Sequence, residues 1–184
     1  MISYDRFKNN FQEYLTMVDT TQPINFLEIG MFEGVTTRWV LDNILHNPQS
    51  VFHGVEPNPS IIPEDIQKHP QTHIYPTHSL EVLPNLSPNY YHMCYIDADH
   101  RAFCVLADSV MAWRLMCVGG HMIWDDYFYR WIKEMEPDVP SMRSKEAIDT
   151  FLMSIDGCHD VIFVDDNQIC IQKTKGYYYY DSAL

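Results

Sequence analysis

Basic side chains are scarce in this sequence: 12 Lys and Arg stand against 25 Asp and Glu, a formal net charge of −13. That deficit argues against a primary grip on nucleic acid, which needs a basic face to displace counterions. It argues equally against docking on anionic lipid. Long apolar runs are missing too. No stretch reaches the ~18 residues of a membrane span, and the opening MISYDRFKNNFQEY lacks the charged start and apolar stretch of a signal peptide. The 5 cysteines (Cys94, Cys104, Cys117, Cys158 and Cys170) are odd in number and form no close pair. Neither a disulfide framework nor a thiolate zinc site is expected from that spacing, and each cysteine reads as a small buried apolar residue. Internal repeats and low-complexity segments are absent as well. The expectation is a cytoplasmic protein of one domain over residues 1–184, meeting small molecules or other proteins.

What is present is an alternation of short apolar runs and helical stripes. Apolar side chains at Phe7, Phe11, Leu15 and Val18 predict a helix within residues 1–20. INFLEIG, SVFHGVEPN, THIYPTHS, YYHMCYID and VGGHMIWDD read as five strands. A helix opened by Thr36 and Thr37 follows the first, and a stripe of Phe103, Leu106, Val110, Trp113 and Cys117 follows the fourth. SKEAIDTFLMSI resumes helix with Ser144 as N-cap, and DVIFVDDNQICIQK is a hairpin turning at Asp165–Asn167. Strands that alternate with helices imply right-handed crossovers and a mostly parallel α/β sheet with helices on both faces. The closing hairpin adds an antiparallel strand at or near the edge. Residues 127–143 have two prolines and no clean period, so they read as a loop.

In such a sheet ligands sit at the carboxyl ends of the strands, where strand order reverses. Those ends carry Glu28 and Gly30, Glu56, Ser79, Asp97 and Asp99, and Asp125 and Asp126. Gly30 and Gly34 let the chain turn tightly and a ligand approach without meeting a Cβ. Their E-x-G-x-x-x-G spacing is not the G-x-G-x-x-G of a dinucleotide site, and a Gly turn with no ligand is the alternative. Glu56 can accept both hydroxyls of a ribose or stand as a solvated loop acid before Pro57. Asp99 suits a cap on the helix after it better than a ligand. His121 and Trp124 lie inside the fifth strand, where packing is the expected role. The other histidines (His46, His53, His69, His73, His78, His92 and His159) show no metal-ligand spacing.

FLEIGMFEG, GVEPN, YIDADH and GGHMIWDDY, in that order, resemble the class I S-adenosylmethionine-dependent methyltransferases over about residues 24–175. More narrowly they are similar to the metal-dependent O-methyltransferases of the catechol, caffeoyl-CoA and macrolide-sugar types. The resemblance implies a Rossmann-like, doubly wound, mostly parallel sheet of about seven strands. It implies that Glu28, Gly30 and Gly34 line the methionine part of the cofactor, that Glu56 takes the ribose, and that Ser79 and Leu80 flank the adenine. It implies Asp97, Asp125 and Asp126 as ligands of Mg²⁺ or another hard divalent cation. His100 falls where catechol-type enzymes carry lysine and some sugar-methylating relatives carry histidine, which makes it the expected general base.

These residues fit O-methylation. A hydroxyl must lose its proton to become a good nucleophile, and a cation bound by hard oxygen ligands favours that loss. Three carboxylates gathered without a cation would raise one another's pKa. The expected acceptor is a small hydroxylated molecule. Tyr127, Phe128, Tyr129 and Trp131 can wall its pocket or form a sheet-edge or homodimer contact. Two alternatives stay open: a metal-independent methyltransferase acting on nitrogen or protein, and a non-catalytic S-adenosylmethionine-binding domain.

Overall fold

The apolar runs form strands because both of their faces are covered, and alternate residues serve opposite faces. In this computed structural model, which describes residues 13–128, 143–165 and 167–176, seven strands make one sheet. They are β1 (Asn25–Ile29), β2 (Val51–Val55), β3 (Thr72–Tyr75), β4 (Tyr91–Ile96), β5 (Met116–Trp124), β6 (His159–Val164) and β7 (Ile169–Lys173). Helices α1 (Val35–Asn43), α2 (Glu64–Gln67), α3 (Ser79–Val82), α4 (Ala102–Leu115) and α5 (Ser144–Ser154) connect them. The order is β3-β2-β1-β4-β5-β7-β6, parallel except for β7, which runs antiparallel to both of its neighbours. Strand order therefore reverses between β1 and β4.

Leu27, Ile29, Cys94, Ile96, Met122 and Trp124 face one side of the sheet, packed with Trp113 of α4 and Phe151 of α5. Phe26, Met93, Tyr95 and Ile123 face the other, with Val40 of α1, Ile66 of α2 and Tyr14. Cys94 and Cys170 are buried and all five thiols are free. No helix of the described residues is long and apolar enough to cross a membrane.

Three local expectations change. Helical residues 13–17 bury Tyr14 (2 % exposed) rather than Leu15 (38 %). Tyr14 wins because its ring stacks on Phe163 at 6.0 Å and its hydroxyl donates to Gln168 Oε1. Phe7 and Phe11 lie outside the described residues. Ser144 is the first helical residue of α5 and not its cap; Arg143 holds the cap position, and the buried Ser144 Oγ has no hydrogen-bond partner among the described residues. In α4 the apolar stripe is rotated from the expected one: Val105, Asp108, Ser109, Ala112 and Trp113 are buried, whereas Phe103 and Val110 are exposed. Two polar residues can face inward because each is satisfied. Ser79 Oγ donates to Asp108 Oδ1 at 2.6 Å, and Ser109 Oγ bonds Val105 O at 2.6 Å and accepts Trp124 Nε1–H at 2.8 Å. Residues 129–142, with Tyr129 and Trp131, and the tail 177–184 lie outside the described residues, and so does Asp166 at the hairpin turn.

Gly30 is fixed by its neighbours. Its φ is +87°, and a Cβ there would stand 2.1 Å from the Asp97 carbonyl oxygen. Gly157, with φ +73°, has nothing among the described residues within 4 Å of such a Cβ. Gly30→Ala is expected to cost about 3 kcal/mol or more, or to prevent folding, while Gly157→Ala costs about 1 kcal/mol. Urea unfolding of the two variants measures the contrast.

Candidate active site

Parallel pairing continues one residue beyond the strands. Gly30 N–H donates to Val55 O (2.9 Å), Asp97 N–H to Ile29 O (2.9 Å), Asp125 N–H to Ile96 O (3.0 Å) and Glu56 N–H to Tyr75 O (3.1 Å). Those bonds set Glu56, Gly30, Asp97 and Asp125 in one row along the carboxyl rim. Over Glu56, Gly30 and Asp97 lies an open cleft of about 460 Å³. Its walls come from residues after β1 (Gly30, Phe32), β2 (Glu56, Pro57), β3 (Ser79, Leu80) and β4 (Asp97, Ala98, Asp99), and from Phe103, Cys104 and Asp108 of α4. The reversal between β1 and β4 is what leaves this space.

The Glu56 carboxylate is held at both ends, accepting Phe32 N–H on Oε2 (3.0 Å) and Asn58 N–H on Oε1 (2.9 Å). Phe32 takes φ +47°, uncommon for a bulky residue, and that turn brings its amide to Glu56. Glu28 lies outside the cleft walls. It is fully buried beside α1, accepting Thr37 Oγ1–H at 2.5 Å, and burial raises its pKa well above the carboxylate range. Thr37 thus serves Glu28, while Gly34 (φ +73°) takes the N-cap position of α1 and packs toward Ile66 of α2. Asp99 does not cap α4 directly. It accepts Arg101 N–H at 2.9 Å and pairs with the Arg101 guanidinium, which lowers its pKa.

At the β4 and β5 tips, Asp97, His100 and Asp126 bring one possible ligand atom each within 4.8 Å of one another. His100 Nε2 and Asp126 Oδ2 are 3.0 Å apart. Asp126 reaches this corner because its φ of +53° swings its side chain away from that of Asp125. Asp125 turns inward instead. Its carboxylate accepts Tyr95 O–H (2.9 Å), Gln168 Nε2–H (3.0 Å) and the Asn167 side-chain amide. Burial, with Asp125 and Asp126 nearby, pushes Asp97 up to about 7. Burial raises Asp125 too, and the bond to Asp126 raises His100. Hard oxygen and imidazole donors gathered at such a cost fit a divalent cation, whose charge offsets the repulsion. Tyr127, next along the chain, packs in the apolar layer under α5 and donates to Asp149 Oδ1 at 2.7 Å, leaving Phe128 exposed.

Residues 27–127, more than half of the chain, match the model of the methyltransferase domain family. The chain belongs to that family. No curated protein matches the sequence. Among solved structures, the O-methyltransferase from Bacillus cereus in complex with S-adenosylhomocysteine superposes with a TM-score of 0.68 at 16 % identity, covering 95 % of this chain and 83 % of that one. The O-methyltransferase TomG from Streptomyces achromogenes, bound to S-adenosylmethionine, gives 0.66 at 15 % identity over 95 % and 82 %. The MycE methyltransferase of mycinamycin biosynthesis, with Mg, S-adenosylhomocysteine and mycinamycin VI, gives 0.62 at 13 % identity over 93 % of this chain and 49 % of that one.

Sequence reasoning missed the residues that steer this methyltransferase's carboxylates. Gln168 and Asn167 follow a hairpin turn more than forty positions beyond Asp125, and no spacing rule connects them. Asp108 was hidden inside a stripe read from apolar residues alone.

A carboxyl whose folded pKa is raised holds its proton in the folded state at pH values where the unfolded chain has lost it, so stability falls as pH climbs through that interval. Asp97, Asp125 and His100 all shift upward, while burial lowers His53, His92 and His121, whose contribution to stability runs the other way as pH rises. In chelator, the Asp97 carboxyl is expected to contribute a fall in the thermal midpoint as pH climbs from about 4 to about 7. Asp97→Asn should remove that contribution and raise the midpoint near pH 7 relative to the wild-type chain by about 2–4 °C, the response of a chain this size to about 1 kcal/mol. Scanning calorimetry at both pH values reads it.

Proposed function

We propose that this methyltransferase moves the methyl group of S-adenosylmethionine to a hydroxyl of a small acceptor, with a divalent cation at the Asp97–His100–Asp126 corner. The observation that carries the reading is that Asp97 belongs both to the cleft wall and to this corner. A cofactor in the cleft and an acceptor at the corner are thereby neighbours. S-adenosylmethionine supplies the electrophilic methyl, and a hard divalent cation supplies positive charge that favours an ionised hydroxyl. Asp97 and Asp126 hold the cation, and Glu56, already oriented by two backbone amides, accepts the ribose hydroxyls. Gly30 leaves the backbone open beside them. His100 takes up the acceptor's proton, and Asp126, 3.0 Å from its Nε2, steadies the imidazolium. Asp125 acts from behind, locking the β5 tip through Tyr95 and Gln168. Placing the two reactants in line can contribute up to about 7–11 kcal/mol, more than the factor of ~10²–10⁴ from a general base. The ligands named for the three solved structures, S-adenosylmethionine or S-adenosylhomocysteine in each and Mg with mycinamycin VI in MycE, support the cofactor, the cation and a small-molecule acceptor.

A second reading rests on the same 3.0 Å contact. A His100–Asp126 pair can take a proton with no cation beside it, which would make transfer metal-independent.

Calorimetry with S-adenosylhomocysteine, then product analysis by mass spectrometry across sugars, phenols and hydroxylated natural products, tests the proposal. Binding and an O-methylated product are expected. Asp97→Ala and Asp126→Ala should weaken Mg²⁺ or Mn²⁺ binding by about tenfold or more. His100→Ala should lower kcat by a factor of ~10²–10⁴ without erasing turnover. Full activity of the wild-type chain in chelator would favour the His–Asp reading, and failure to bind S-adenosylhomocysteine would overturn both.

A further inference from the structure

We infer that Tyr14, near the start of the described chain, is a positioning residue for the Asp97–His100–Asp126 corner, acting on it through the Gln168 amide and the Asp125 carboxylate. The assignment rests on the cation reading proposed above.

The corner depends on a backbone that needs support. Asp126 joins Asp97 and His100 with a φ of +53°, a conformation disfavoured for a residue with a Cβ and kept only where neighbours impose it. Support reaches Asp126 from both flanks, each time from the threshold of β7. On one flank Tyr127 N–H donates to Asn167 O at 2.7 Å. On the other, the Asp125 carboxylate accepts the Asn167 side-chain amide, Gln168 Nε2–H at 3.0 Å and Tyr95 O–H at 2.9 Å. Gln168 is the hub of that cage, because its Nε2 also donates to the Tyr95 hydroxyl oxygen at 3.0 Å.

An amide has a donor end and an acceptor end, and Gln168 can serve Asp125 only with its oxygen turned away. Tyr14 sets that orientation: its hydroxyl donates to Gln168 Oε1. Burial holds the pKa of this hydroxyl well above the ordinary tyrosine range, so it stays a donor. Tyr14 and Gln168 are 2 % exposed and Tyr95 is 1 % exposed. Water therefore does not compete, and each bond polarises the next toward the carboxylate.

Packing alone does not account for the hydroxyl. The Tyr14 ring stacks on Phe163 of β6 at 6.0 Å and meets Trp39 of α1 edge-on at 6.3 Å, contacts that a phenylalanine would make equally well. A buried hydroxyl is unfavourable unless bonded, and this one is bonded to an amide 154 positions away whose other end holds Asp125. Tyr14, Gln168, Tyr95 and Asp125 are not walls of the cofactor cleft. The chain of bonds acts on the corner and leaves the cleft alone.

The test titrates Mn²⁺ and, separately, S-adenosylhomocysteine into the whole chain by calorimetry, for the wild type, Tyr14→Phe, Gln168→Leu and the double variant. Tyr14→Phe keeps the ring and loses only the hydroxyl. It is expected to weaken Mn²⁺ binding by about tenfold and to leave S-adenosylhomocysteine binding unchanged. The double variant should bind Mn²⁺ no more weakly than Gln168→Leu alone, because both substitutions interrupt one chain of bonds. A purely structural Tyr14 would lower the unfolding temperature of Tyr14→Phe and leave its Mn²⁺ affinity as in the wild type, which overturns the assignment. Tighter Mn²⁺ binding by Tyr14→Phe, a parallel loss of S-adenosylhomocysteine binding, or additive losses in the double variant overturns it as well. Each of those results leaves the cation reading intact as long as the wild-type chain binds Mn²⁺. A wild-type chain that binds no Mn²⁺ overturns the cation reading and this assignment with it.

Discussion

Glu56, Gly30, Asp97 and Asp125 are placed by backbone hydrogen bonds that run one step past the regular strands. Asp97 N–H on Ile29 O and Asp125 N–H on Ile96 O hold two acidic strand ends in register across β1, β4 and β5. A parallel ladder is indifferent to side chains, so it can bring carboxylates together that would separate if free. The cost is carried by the layers of apolar side chains on either face, with Trp124, Tyr95 and Phe26 buried in them. The core thus works as the anchor that makes an electrostatically unfavourable rim affordable.

That division explains how neighbouring acids acquire different tasks. Asp125 and Asp126 are adjacent in sequence, yet a left-handed backbone at Asp126 sends one carboxylate into a cage of donors and the other toward His100. Likewise Glu28 is sealed against Thr37 while Glu56, one strand over, is oriented into the cleft by two amides. Net charge alone distinguishes none of these. Local geometry decides whether an acid stores repulsion, binds a ligand or holds another group still.

Much of the fold was legible because parallel strands buried on both faces leave continuous apolar runs, and FLEIG and YHMCYI are such runs. The rim was legible for a related reason: chemistry gathers where strands stop, and acids there stand out against apolar neighbours. Three things were illegible. Tyr14 displaced Leu15 from the interior through a distant partner, Gln168. The α4 stripe misled because Asp108 and Ser109 are polar yet inward, satisfied by Ser79 and Trp124 from other elements. Asp125's cage depends on the start of β7, a long-range pairing with no local signature. Each miss is a polar group whose partner comes from elsewhere in the chain.

The same long-range pairing has a consequence for how the protein is made. β7 slots between β5 and β6 and is synthesised after both, and Gln168, at its threshold, ties Asp125 to Tyr95 and to Tyr14 near the other end of the described chain. A nascent chain halted after α5 already owns every wall of the cleft but not the latch at the β5 tip. The β5 tip therefore cannot take its final hydrogen bonds until the chain has been made through Gln168 and β7 has paired.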